Sequence, residues 1–268
     1  MRALQEIQHL LDVASIVPST RQRLRLICLW FALLLKQSGK FGQSFSARLT
    51  WRGPSGLITA TISDLSELKI IREVFFGAEY VCPDDIKPDV VVDLGSNAGY
   101  SVLYFKSVYP SARIIAVEPH PQTFERLKLN TAHLADVDLI NAAVTDYAGK
   151  ATLYYGKKSW AAALTASNDR PASAVVPAIT LRDLTEELGL TKIDLLKIDI
   201  EGAEDQVLAS SASILKHTRL VIFEYHQEHH RDTLWMVLDK LPEFRLVQFK
   251  GDSRQHPVVT LTRLRSAA

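Results

Sequence analysis

The chain has 268 residues, a formal net charge of +1, 47% hydrophobic and 23% charged residues. That length suits one large domain or a domain with an extension, and the apolar content supplies a sizeable core. The balanced charge excludes a broad nucleic-acid footprint, and the composition excludes a disordered chain. Cys28 and Cys82 lack metal-ligand spacing and fit inert packing in a reducing compartment, so a cytoplasmic location is expected. The N-terminal residues show no charged start, apolar core and small-residue cleavage site in succession, so no signal peptide is expected.

Residues 1 to about 40 read as two helices split at Pro18. Residues 26–35 form a continuous apolar run behind Arg21, Arg23 and Arg25. The run is shorter than the roughly twenty residues that span a bilayer. It is expected to be a buried helix, packed on the domain or on a second copy in a homodimer. An interfacial helix whose arginines meet lipid headgroups is the alternative. Strands over 45–51 and 57–62 flank the turn-rich Arg52-Gly53-Pro54-Ser55-Gly56. Asp64-x-x-Glu67 is a capping box opening a helix through Phe75. Pro83 and Pro88 then punctuate the chain, which places a boundary near residue 85. Residues 1–85 are expected to form a cap or dimerisation element, and 86–268 the second domain.

After the boundary, apolar strands alternate with helical patterns. The expected strands are 89–94, 113–118, 138–144, 193–199, 219–225, 244–250 and 257–263. The expected helices are 100–109, 121–133, 181–188, 202–216 and 229–240. This alternation predicts a mostly parallel sheet covered on both faces. The short connection from Gly251 to Pro257 suits only an antiparallel last pair. The fold class is therefore α/β: a Rossmann-like, seven-stranded, mostly parallel sheet with an antiparallel last strand, plus an N-terminal helical and hairpin extension. Thr152 to Tyr155 adds a small strand beside 138–144, and 157–178 reads as a long loop over the carboxyl ends of the strands, where substrate would bind.

The first dense signal is Val92-Asp93-Leu94-Gly95-Ser96-Asn97-Ala98-Gly99. An apolar strand ends in Asp93, and a Gly-x-x-x-Gly turn opens a helix. About twenty residues later a second strand ends in Glu118-Pro119. Glycines let a backbone approach a ligand, and an acid at the second strand end suits a ribose diol. Only two glycines are present, and Asp93 would repel a pyrophosphate at short range. The same carboxylate would attract an ammonium group. S-adenosylmethionine carries a ribose diol and an α-amino group without phosphate, so it is the expected cofactor. Gly95, Ser96, Asn97 and Gly99 would form its turn. Asn97 would bond the methionine carboxylate or hold a positive-φ turn, and His120 and Gln122 would flank the adenine.

The second signal is Leu196-Lys197-Ile198-Asp199-Ile200-Glu201-Gly202-Ala203-Glu204. A strand delivers Asp199 to the edge where open α/β sheets bind ligands, and the next strand delivers Glu224, Tyr225 and His226 there. His226 is the first candidate for a general base, because a neutral imidazole is available near pH 7. Asp199 and Glu201 follow it. Mg²⁺ held by two or three of the carboxylates Asp199, Glu201 and Glu224 together with a histidine is the alternative use of this edge. His229 and His230 suit a solvated helix start, and Trp160 suits a stacking or anchoring role in the long loop.

Those runs, with Asn141-Ala142-Ala143-Val144, resemble the FkbM family of S-adenosylmethionine-dependent methyltransferases within the class I superfamily. The resemblance covers roughly residues 45–226. It implies O-methylation of hydroxyls on small molecules, including polyketides and glycoconjugate sugars. It also implies that Ala142 and Ala143 lie beside the adenine, with Glu118, Pro119 and Asp199 at the cofactor. Two rivals stand beside it: a binding module that kept the fold without turnover, and a nucleotide-dependent dehydrogenase, which Asp93 and the missing third glycine disfavour.

Overall fold

The computed structural model describes residues 2–37, 45–77, 79–80, 82–156, 162–226, 241–250 and 257–264. The expected helix at 229–240, with His229 and His230, and the loop residue Trp160 lie outside them.

Two helices open the chain, α1 (Arg2–Ile16) and α2 (Thr20–Gln37), on either side of Pro18. A hairpin follows, β1 (Ala47–Gly53) paired antiparallel with β2 (Gly56–Ile62). The capping box then forms as its spacing predicts. The Asp64 side chain accepts from the Ser66 N–H at 2.8 Å, and Glu67 accepts from the Asp64 N–H at 3.3 Å, opening α3 (Leu65–Phe76).

The main sheet contains β3 (Val90–Leu94), β4 (Arg113–Val117), β5 (Val137–Ile140), β9 (Ile193–Ile198), β10 (Thr218–Glu224), β11 (Phe244–Lys250) and β12 (Val258–Arg263). Their order is β11-β12-β10-β9-β3-β4-β5. β12 runs antiparallel to both neighbours, while β5, β4, β3, β9 and β10 are mutually parallel. The crossovers are α4 (Tyr100–Val108), α5 (Pro121–Thr131), α6 (Leu181–Glu187), and α7 (Glu204–Ser210) with α8 (Ala212–Leu215).

Alternate residues of the central strands feed two separate cores. Val92, Leu94, Ile115, Val117, Leu196 and Ile198 pack toward Leu184 of α6 and Val207 of α7. Val91, Ile114, Ala116 and Leu195 pack toward Phe105 of α4 and Leu127 of α5. A parallel strand buried on both faces reads as a continuous apolar run, which is why these strands were visible in the sequence. A third core joins α1, α2, the hairpin and α3 to Tyr100 and Leu103 of α4. The N-terminal residues are thus seated on the helix that leaves the glycine turn.

Three expectations need correction. The 138–144 run is broken at Asn141 into β5 and the separate β6 (Ala143–Thr145). β7 (Gly149–Tyr155) does not pair with it, and the last third of the expected long loop is strand, β8 (Ala172–Thr180). β8 pairs parallel with β6 and antiparallel with β7, forming a second, three-stranded sheet. The apolar run on α2 is only half buried. Leu26, Leu29 and Leu33 enter the N-terminal core, while Leu24, Ile27 and Phe31 face outward, and Cys28 is exposed rather than packed.

Candidate cofactor site

The carboxyl ends of β3, β4 and β9 converge on the turn after β3. Gly95 sits there with φ +79° and Asn97 with φ +49°, both left-handed. A side chain at Gly95 is excluded, because its Cβ would lie 1.7 Å from the Asp199 carbonyl oxygen. Asn97 secures the turn locally, its Oδ1 accepting from the Ala98 N–H at 2.7 Å.

Glu118 ties two loops together. One oxygen accepts from the Asn97 N–H at 2.9 Å and the other from the His120 N–H at 2.8 Å. Burial raises its pKa to about 7, against the lowering effect of those two N–H groups. The loop itself is braced by Asn141, whose amide donates to the Glu118 and Pro119 carbonyls at 2.7 and 3.1 Å. His120 caps α5 and meets the Tyr155 ring edge-on, with centroids 4.6 Å apart. That contact links the small sheet to the Glu118 loop.

A cavity runs along this edge. Gly95, Asn97, Glu118, Pro119, Ala142, Ala143, Asp199 and Glu201 line it, and Leu153 with 162–164 closes one side. Eight residues anticipated from sequence are therefore on one wall. Asp93, Ser96 and Gly99 are not. Asp93 is wholly buried and faces inward, with Ser101 Oγ donating to its Oδ2 at 2.5 Å and the Lys197 ammonium 3.0 Å from its Oδ1. The ammonium group expected from a ligand is supplied by the protein itself. Ser96 donates to the Asp93 carbonyl, and Gly99 packs against Leu127, so both build the turn from behind.

The residues beyond Asp199 form an acidic nest around one cation. His226 Nδ1 lies 2.8 Å from Glu204, and Nε2 lies 3.6 Å from Glu201 and 3.9 Å from Asp199. Burial alone would lower the imidazole pKa, but Glu201 and Glu204 reverse this and push it up to about 12. The acids around it thus favour the charged imidazole, which weighs against the general-base role expected from its residue type. Glu224 is pushed up to about 9 by burial and then by Asp199. Glu79, which no motif flags, joins the same field. Burial and then Glu73 and Asp199 raise its carboxyl to about 7.

Glu204 is the other participant missed in sequence. It is buried, accepts from the Ile200 and Gly202 N–H groups at 3.2 and 3.1 Å, and holds His226. Its spacing from Glu201 was the available signal. Among the described residues, Asp199, Glu224 and His226 offer ligand atoms within 4.8 Å of one another. A histidine and two of the three expected acids thus make the trio that could hold a cation, with Glu201 outside it.

The strand order, the glycine turn after β3 and the acid closing β4 define a Rossmann-like fold with a nucleoside-type edge. Residues 93–249 match the methyltransferase FkbM domain. The chain belongs to that family. It is 30% identical to the 2-O-methyltransferase NoeI of Sinorhizobium fredii over 68% of this chain and 80% of that protein. It is 30% identical to the 31-O-demethyl-FK506 methyltransferase FkbM of Streptomyces tacrolimicus, over 60% of this chain and 74% of that one. The hexuronic acid methyltransferase AglP of Haloferax volcanii is 28% identical over 62% of this chain and 65% of its own length.

Proposed function

We propose that this methyltransferase takes its methyl group from S-adenosylmethionine and delivers it to a hydroxyl oxygen of a small molecule or glycan. The observation that carries the reading is the continuous cavity joining the glycine turn, Glu118 and the Asp199–Glu201 edge. The relatives add support for the acceptor class, since their names specify 2-O-, 31-O- and hexuronic acid methylation.

The residues present fit the cofactor. Glu118 reaches the cavity with its carboxylate anchored by two N–H groups, leaving lone pairs for a ribose diol. Ala142 and Ala143 offer a small-residue wall for a flat base. When bound, S-adenosylmethionine supplies a methyl on a positively charged sulfur, open to in-line displacement. The chain's task is to hold a hydroxyl in line, exclude water and remove its proton. With the charged form of His226 favoured, Asp199 is the proposed base and Glu201 its neighbour. Lys197 stands 3.6 Å from the Asp199 carboxylate and positions it. His226, locked by Glu204, orients Glu201 and limits the repulsion among the acids.

The alternative use of the edge is a divalent cation such as Mg²⁺ on Asp199, Glu224 and His226, an oxygen-rich set with one imidazole. Metal analysis of purified protein and turnover in chelator separate the two. Turnover unchanged by chelation leaves the carboxylate base, and loss restored by Mg²⁺ favours the cation.

The test of the cofactor is calorimetric titration with S-adenosylhomocysteine, with NAD and Glu118→Ala as comparisons. Micromolar binding that disappears in the variant is expected. Binding of NAD instead, or of neither ligand, would overturn the assignment. Binding without methyl transfer to any hydroxylated acceptor would point to a module that holds the ligand and does not turn it over.

A further inference from the structure

We infer that the outer face of α2 is a docking surface for an anionic lipid bilayer. Leu24, Ile27 and Phe31 are 59%, 41% and 56% exposed, and their spacing puts them on one side of the helix. On α1, Leu11 is also 58% exposed. Isolated exposed apolar residues are ordinary, but a helical stripe of large ones opposite a buried stripe is not. The helix thus has two apolar faces: one enters the N-terminal core, and the other faces outward, with Phe31 meeting only the Trp30 ring of its own helix among the ring contacts of the described residues.

The charges identify what suits the other. Arg21, Arg23 and Arg25 are exposed, and helical periodicity sets Arg21 and Arg25 on one flank of the stripe and Arg23 on the other. No Asp or Glu occurs anywhere in α2. A second copy of this helix would bring apolar surface but no counter-charge to the arginines. An anionic lipid surface supplies both, with the aliphatic side chains entering the acyl boundary and the guanidinium groups reaching phosphates. The arginines also lie in the first two turns, where the helix dipole opposes positive charge, and nearby phosphate relieves that opposition. Among the described residues no helix is long and apolar enough to cross a membrane, so α2 would lie in the plane of the surface.

The test is co-sedimentation of the full chain with vesicles of phosphatidylcholine alone and of phosphatidylcholine with phosphatidylglycerol. Binding is expected to the mixed vesicles, falling as salt rises. Ile27→Glu with Phe31→Glu should weaken it by roughly a hundredfold, as expected when two large apolar side chains no longer enter the acyl boundary. Reversal of Arg21, Arg23 and Arg25 to Glu should abolish the preference for phosphatidylglycerol. This second variant leaves every apolar side chain of the helix in place, so it remains informative if the first fails to fold. A fluorophore on Cys28, in a Cys82→Ser background, should shift to the blue on binding. No sedimentation with either vesicle overturns the inference. Equal, salt-insensitive binding to both also overturns it, as does a dimer in solution that Phe31→Glu dissolves while vesicle binding stays absent. None of these outcomes depends on the identity of the cofactor.

Discussion

The ammonium of Lys197 lies 3.0 Å from Asp93 in the centre of the sheet, and both side chains are almost wholly shielded from water. The contact is an ion pair, and the same ammonium donates to the Gly95 carbonyl at 2.7 Å. Burial works against the lysine charge, but Asp93, Asp199 and Glu224 together raise its pKa above the ordinary lysine value. Removing one partner would leave a buried charge uncompensated. Lys197→Met is expected to cost about 3–5 kcal/mol of folding stability. The double variant with Asp93→Asn should recover a large part. Denaturant unfolding of the wild type, both single variants and the double variant measures this, and simple additivity of the two changes would exclude the pairing.

The turn after β3 has no room for a side chain. Gly95→Ala must move the Asp199 carbonyl and also adopt a left-handed conformation. The backbone strain alone costs about 1–3 kcal/mol. Reduced thermal stability together with weakened binding of S-adenosylhomocysteine is expected. Wild-type values for both would show that β3 and β9 are less tightly apposed than the structure has them.

Cofactor affinity is expected to depend on pH through Glu118. Its carboxyl has a pKa raised to about 7, so the free protein carries an ionised Glu118 only as pH rises through that value. A carboxylate that must accept two ribose hydroxyls should therefore bind more tightly with rising pH up to about 7 and then level off. Below that, affinity should fall by as much as about tenfold per pH unit. Calorimetric titrations across this range test it, and a flat profile would remove Glu118 as the titrating group.

Ligand-free stability should run the opposite way. Glu118, Glu79 and Glu224 all hold their protons more tightly folded than unfolded. Each loses stability as pH climbs from the unfolded carboxyl value, near 4.5, toward its folded value. The raised His226 pKa adds a loss that begins near 6.5 and continues upward. The melting temperature of the ligand-free protein is expected to fall between about pH 5 and pH 8. A rise across that window would mean that these groups are not buried as described.

His226 should resist deprotonation. Its ring is held between Glu204 and Glu201, and nuclear magnetic resonance of the imidazole is expected to report the charged form at about pH 8. A neutral ring at that pH would return it to the list of candidate bases.

The sheet was legible because β3, β4, β9 and β10 are covered on both faces and therefore carry unbroken apolar runs. Glu118 and Asp199 were legible because they end such runs. β8 was not, since Ala172, Ser173, Ala174 and Pro177 are poor or restrictive strand formers and the strand is ordered by its neighbours. The break at Asn141 was equally hidden, because its side chain leaves the ladder to bond the Glu118 loop. Most consequential was the electrostatic state of His226. A histidine's residue type sets only its starting pKa, and Glu201 and Glu204 reach it from a different strand end.

The glycine turn and the strand beside it come from distant parts of the chain: Gly95 and Lys197 are 102 residues apart, yet the lysine ammonium reaches the Gly95 carbonyl across the paired β3 and β9. Contacts of such sequence separation form slowly and late, because the intervening chain must first be ordered. During synthesis, a nascent chain that has delivered β3, β4 and Glu118 still has no Asp199 to close the wall. Ligand capture therefore reports completion of the central sheet. A time-resolved binding signal during refolding should trail the recovery of helix, with no burst of affinity from an early intermediate.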